Sequence, residues 1–210
     1  ADNIEEQLKP QTTYMFISPF TLKSDATVSN INFRKAIAYS IDKKIITEHV
    51  LKDGSLAADG LVPRGFAILD GKDYREESGQ YEDLYFNVDK ANEFLAAAKS
   101  ELGSDNLKFT LTISSSTNVS KVFENVKEQV EKNLPGVTVD LQVLPSQTYF
   151  TAVRENGESA AYSGWGADFD DIVVFFNIFK TNSGETSSKY SSVDYDTYTA
   201  LAESPEIAVN

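Results

Sequence analysis

The stretch Gly164-Trp165-Gly166-Ala167-Asp168-Phe169-Asp170-Asp171 gathers the residue types that best hold a ligand in this chain of 210 residues. It offers a large flat ring, backbone left open by small neighbours, and three carboxylates. An apolar run, Ile172-Val173-Val174-Phe175-Phe176, follows at once. Two readings stand side by side. In the first, Trp165 is a core aromatic that closes a strand, and Asp168 or Asp170 caps the helix that follows. In the second, Gly164, Gly166 and Ala167 keep backbone accessible at the end of a strand in an α/β sheet. Ligands of open α/β folds bind at such strand ends, and a carboxylate there can pair with a ligand ammonium. The residues alone leave both readings open.

Other chemistries find less support. Tyr162-Ser163-Gly164 has the serine of a nucleophile elbow, but G-x-S-x-G needs glycine where Ala161 and Trp165 stand. His49 is the only histidine, and on its short helix it reads as a surface or boundary residue rather than a catalytic base. A calcium loop starting at Asp168 needs glycine at Val173 and glutamate at Phe179, and has neither. A carboxylate-dependent hydrolase needs two acids facing each other across a pocket, a separation that sequence does not give. With no phosphate-cradling glycine loop and no histidine cluster, the expectation is no catalysis, no metal and no cofactor.

Charge narrows the partners. The chain has 19 basic and 32 acidic residues, a net charge of −13. Such a surface repels phosphate backbones and anionic lipid, so nucleic acid is excluded as the expected partner. It has no cysteine, which removes disulfides and thiolate chemistry. No apolar run is long enough to span a bilayer, and the acidic opening Ala1-Asp2-Asn3-Ile4-Glu5-Glu6 is not a signal peptide.

The elements that must position these residues follow an α/β pattern. Thr13-Tyr14-Met15-Phe16-Ile17 reads as a strand. Ser29 or Asn30 caps a helix with the stripe Phe33, Ile37, Ile41, and Asp42 caps a short second helix carrying Ile45, Ile46, His49 and Val50. From Lys52 to Gln80 the chain is turn-rich and irregular, a length that predicts a functional segment or one wrapped over a neighbour. A helix from about Asp89 ends at Gly103. Leu107, Phe109, Leu111 and Ile113 alternate with polar residues as a strand with one buried face. The helix after Thr117 aligns Val119, Val122, Phe123, Val126, Val130 and Leu134; Pro135-Gly136 breaks it, and Val137, Val139, Leu141 and Val143 alternate again. This is a βαβ unit. A helix over Ser146 to Arg154, a strand over Ala160 to Trp165 and a final helix from Asp194 to Ala202 complete the reading. Residues 1–204 are read as a single lobe and residues 205–210 as a truncated tail.

Two segments resemble a known family, the extracytoplasmic solute-binding proteins of peptide ABC transporters in their oligopeptide- and dipeptide-binding group. Asn32-Phe33-Arg34-Lys35-Ala36-Ile37-Ala38-Tyr39-Ser40-Ile41-Asp42-Lys43-Lys44-Ile45-Ile46, continuing through Gly54 to Leu61-Val62-Pro63-Arg64-Gly65, is similar to its RxAIxYAID+xxI … G … PxG signature. Gly164-Trp165-Gly166-Ala167-Asp168-Phe169 resembles its GWxADY motif. The resemblance implies one lobe, the C-terminal one, of a two-lobed periplasmic-binding-protein-like fold, with a mixed sheet and flanking helices; the N-terminal lobe is absent from the chain. It implies that Asp168 pairs with a peptide's α-amino group, with Trp165, Gly166, Ala167 and Phe169 along the same cleft. Some members carry an arginine for the ligand carboxylate where this chain has Tyr162; Arg154 is the residue expected to supply that charge. Also implied are a membrane permease as partner and an extracytoplasmic, lipid-anchored full-length protein. The family also includes relatives that bind oligosaccharides, opines or nickel complexes.

Overall fold

The computed structural model describes residues 10–79, 85–184 and 187–204. Strand β1 (Gln11–Ile17) is followed by a short helix α1 (Ala26–Ser29), whose start is fixed by the Asp25 carboxylate accepting the Val28 N–H at 2.9 Å. Helix α2 (Ile31–Ser40) begins where the Asn30 side chain accepts the Phe33 N–H at 2.9 Å, the expected cap. Asp42 likewise caps α3 (Lys43–Ile45), accepting from Lys44 at 3.0 Å. A π-helical turn over Ile46–Leu51 carries His49, which is exposed, as its spacing predicts.

Among the described residues the irregular segment holds only a hairpin of two-residue strands, β2 (Ile68–Leu69) with β3 (Lys72–Asp73), and a single turn, α4 (Tyr74–Glu77). It is pinned from within. Arg75 is buried and donates to the Asp59 carbonyl at 2.8 Å and to Ser78 Oγ at 2.7 Å. Gly60 packs so close to this guanidinium that a Cβ there would collide with it.

Helix α5 (Val88–Leu102) ends at Gly103 in the left-handed region, as predicted. Strand β4 (Leu107–Ser114), helix α6 (Thr117–Asn133) and strand β5 (Val137–Leu144) form the βαβ unit, with β4 and β5 parallel and Leu107 opposite Val137. Helix α7 (Ser146–Arg154), strand β6 (Ala160–Gly166), helix α8 (Val173–Asn177) and helix α9 (Val193–Ala202) follow. Among the described residues the main sheet has the order β1-β6-β4-β5, with β1 antiparallel to β6 and β4 parallel to both its neighbours. The mixed sheet with flanking helices is therefore present; the tail 205–210 lies outside the described residues.

One face of the sheet packs against α2, α5 and α6. Phe33, Ile37, Leu111 and Ile113 are almost fully buried there, each contributing about 1.5–3 kcal/mol of transfer free energy. Helix α7 covers the other face through Tyr149 and Val153 against Phe16 and Ala161. This corrects the expectation that β4 buries one face only. Lys108 and Thr110 are exposed, but Thr112 and Ser114 are buried, because Thr112 Oγ1 lies 3.2 Å from the buried Glu158 carboxylate on the α7 side.

Candidate functional site

Strand β6 holds the candidate residues, and its two edges differ. Along one edge it pairs with β1 over its whole length, Ala160 opposite Ile17 and Gly166 opposite Gln11. Along the other it pairs with β4 only at Ala161 opposite Thr112. The bonds Ser18 N–H to Ser159 O (2.7 Å) and Ala167 N–H to Pro10 O (3.1 Å) fix the alternation: odd-numbered residues of β6 bond to β1, even-numbered ones face away. Tyr162 N–H closes the Thr112–Ala161 bridge and also lies 3.2 Å from the Tyr149 hydroxyl, which donates to the Tyr162 carbonyl. Gly164 and Gly166, both exposed, then direct their N–H and C=O groups onto an edge that is open among the described residues. The two glycines are not equivalent. A Cβ on Gly164 would sit 3.2 Å from Gln11 Nε2 and 3.3 Å from Thr13 Oγ1, whereas the nearest atom at Gly166 is 3.9 Å away.

Beside this edge, between β1, β6 and α7, lies a recess of about 140 Å³. Tyr14, Tyr149, Phe150, Arg154, Tyr162, Ser163 and Trp165 are among its lining residues. No aspartate or glutamate is among its lining residues, so the facing acids that a hydrolase needs are not found there. Burial pushes the Tyr14 and Tyr149 hydroxyls above the ordinary tyrosine range, so both keep their protons and remain donors. Tyr149 donates a hydrogen bond to the Tyr162 carbonyl, and Ser163 beside Tyr14 partly offsets the rise there.

The seven candidate residues divide among three settings. Arg154, exposed at the last turn of α7, comes together with Tyr162 and Trp165 at the recess. Tyr162 is largely engaged within the fold: its hydroxyl is 2.7 Å from Ser114 Oγ, and its ring stacks on Tyr149 at 4.8 Å between centroids. Trp165 and Ala167 also pack against the apolar cluster of Val62, Val174 and Phe175, where the irregular segment meets α8. Trp165 Nε1 is buried there with no hydrogen-bond partner among the described residues. Gly166 sits on the open edge, and Asp168 and Phe169 lie on the exposed turn beyond it.

The helix-cap reading is corrected here. Neither Asp168 nor Asp170 caps α8, whose N-cap position is Ile172; the Asp171 carboxylate just before it accepts the Val173 N–H at 2.9 Å. Among the described residues the Asp168 carboxylate makes no hydrogen bond or ion pair, and no cluster of His, Cys, Asp and Glu is arranged to hold a metal.

Sequence reasoning missed Tyr14, Tyr149, Phe150 and Ser163. The four-residue spacing of Tyr149 and Val153 marks an inward face of α7, a signal that was available. Tyr14 and Ser163 meet only through the β1–β6 register, which carries no local signature.

Comparison with known proteins places this geometry. A family model described as bacterial extracellular solute-binding proteins, family 5 Middle, matches residues 1–187. A dipeptide-binding protein of Lactococcus lactis subsp. cremoris is 26% identical over 183 residues, covering 86% of this chain and 33% of the relative. The solved structure of Listeria monocytogenes OppA bound to peptide is 34% identical with a TM-score of 0.83, over 90% of this chain and 37% of that one. A crystal structure of a peptide-binding protein of a peptide ABC transporter is 30% identical with a TM-score of 0.82, over 94% of this chain and 86% of that one. The chain spans about a third of the length of the curated relatives it matches.

Proposed function

The chain belongs to the bacterial extracellular solute-binding proteins of family 5, and from that membership we propose that it is the ligand-capturing lobe of a receptor delivering oligopeptides to an ABC importer. The observation that carries this reading is the open edge of β6 at Gly164 and Gly166. A peptide main chain pairs with such an edge as an added strand, and its side chains enter roomy recesses beside it. The similar proteins named for dipeptide or oligopeptide binding support the same ligand class.

In this reading Asp168 receives the peptide's α-ammonium. Its carboxylate is exposed and has no internal partner among the described residues, so it is available for one. An exposed pair of this kind contributes about 0–1 kcal/mol, and closure of a second lobe over it raises the cost of losing either partner to about 3–5 kcal/mol. Trp165, Gly166, Ala167 and Phe169 lie along the same cleft, and Arg154 supplies charge for a ligand carboxylate. The reading includes an N-terminal lobe elsewhere in the full-length protein, a membrane permease as partner, and an extracytoplasmic, lipid-anchored location. It involves no catalysis and no cofactor.

A second reading, a short oligosaccharide, has one observation in its favour: Tyr14, Phe150 and Trp165 line the recess together, as a sugar's faces require. The open backbone edge favours peptide, because a sugar has no main chain to pair with it. Native mass spectrometry of the full-length protein decides between them. A co-purified peptide, lost from the Asp168→Ala variant, is the expected result; a carbohydrate ligand sinks the proposal.

A further inference from the structure

The β4–β6 ladder stops at Thr112–Ala161, although β4 continues to Ser114 and β6 to Gly166. Strand length therefore does not end it. At the next outward-facing position of β6, the Tyr149 hydroxyl accepts from Tyr162 N–H at 3.2 Å and donates to Tyr162 C=O. A hydroxyl can do both at once, since it has one proton and free lone pairs. The N–H is also the group that closes the Thr112–Ala161 bridge, whereas the C=O is the acceptor that the next rung, to Ser114, would need.

We propose that Tyr149 is a positioning residue of the ligand edge: its hydroxyl ends the internal ladder at Tyr162 and makes Gly164 the first position where a ligand main chain can pair. The inference rests on the receptor reading above. A buried tyrosine that only needs an acceptor is satisfied by one bond to any carbonyl. Tyr149 instead takes the one carbonyl that the next rung of this ladder needs, where the ladder stops. The ring is held in place: Tyr149 is buried and stacks on Tyr162 at 4.8 Å. The end of β4 is drawn to the Tyr162 side chain, Ser114 Oγ lying 2.7 Å from its hydroxyl. Since strand pairing has a period of two, closing Tyr162 leaves a ligand strand only Gly164 and Gly166 on this edge, and its register is set.

Amide hydrogen exchange by NMR on the full-length protein tests this, with trialanine as the probe. In the wild type without peptide, the Tyr162 amide exchanges at least about tenfold more slowly than that of Gly164, and trialanine slows Gly164 and Gly166 while leaving Tyr162 unchanged. In Tyr149→Phe, which keeps the ring, the freed Tyr162 carbonyl takes the ladder-facing Ser114 amide as the next rung, so that amide slows about tenfold while Ala160 and Ala161 stay within about twofold. General loosening of the strand would speed all three. A Ser114 amide unaffected by the variant overturns the proposal. So does a wild type in which Tyr162 and Gly164 exchange alike, a comparison that stands even if the variant does not fold. Trialanine protecting none of these amides overturns the ligand half and counts against the receptor reading itself. Whether Tyr149 ends the ladder is then still read from the ligand-free exchange.

Discussion

Trp165 stands directly opposite Thr12 in the β1–β6 ladder, and the Thr12 hydroxyl donates to the Leu61 carbonyl at 2.7 Å. One rung of the sheet thus ties the ligand edge to the irregular segment, whose Val62 belongs to the apolar cluster that Trp165 joins. Thr12→Val keeps the shape and leaves that carbonyl without its donor. The expected loss is about 1–2 kcal/mol in urea unfolding, with Thr12→Ser close to neutral.

Gly136 precedes β5 with φ +83, and a Cβ there would collide with the Asp105 carbonyl. Gly71, at φ +81, has open space around it. Gly136→Ala is expected to cost more than about 2 kcal/mol and Gly71→Ala about 1 kcal/mol, the difference being the collision. Equal losses in thermal unfolding would mean that only the backbone angle matters.

The helices and the βαβ unit were legible because their signals are local. The stripe of Val122, Phe123, Val126 and Val130 on α6 needs nothing outside the helix to be recognised, and Asn30 and Asp42 act as the caps their types predict. The site was only half legible. Trp165 and Asp168 attract attention by composition, but the open edge exists because β1 pairs with β6, a strand far from it in the sequence. Three aspartates stand within four positions before one helix, and sequence cannot say that Asp171 bonds its first N–H and leaves Asp168 exposed. Tyr149 was read simply as part of a helix, since its partner is backbone that only tertiary structure brings to it.

Tyr14 and Tyr149 carry hydroxyls whose pKa burial raises above the ordinary 10.0. A group raised in the folded state contributes stability that is complete below its unfolded pKa and is lost as pH rises toward the folded value. Urea midpoints should therefore hold up to about pH 10 and fall above it. Tyr149→Phe should flatten that alkaline slope. A slope unchanged in the variant would assign the effect to other groups.

Leu111 is fully buried at the centre of β4, between the helical layer and the α7 side. Leu111→Ala is expected to cost about 2–5 kcal/mol, measured by chemical denaturation, because the surrounding strands cannot collapse into the space. A loss below about 1 kcal/mol would mean that the sheet is far less tightly packed than described.

The most direct test of the account pairs a change in the protein with a change in the ligand. Isothermal titration of the full-length protein with trialanine and with N-acetyl-trialanine, in the wild type and in Asp168→Ala, isolates the contact between Asp168 and the ligand's amine. The account predicts that acetylation weakens wild-type binding by at least about 100-fold, the cost of leaving one partner of a closed-over pair alone, and has little further effect in the variant. An equal penalty for acetylation in both proteins would contradict it, and would remove Asp168 from the ligand's amino end.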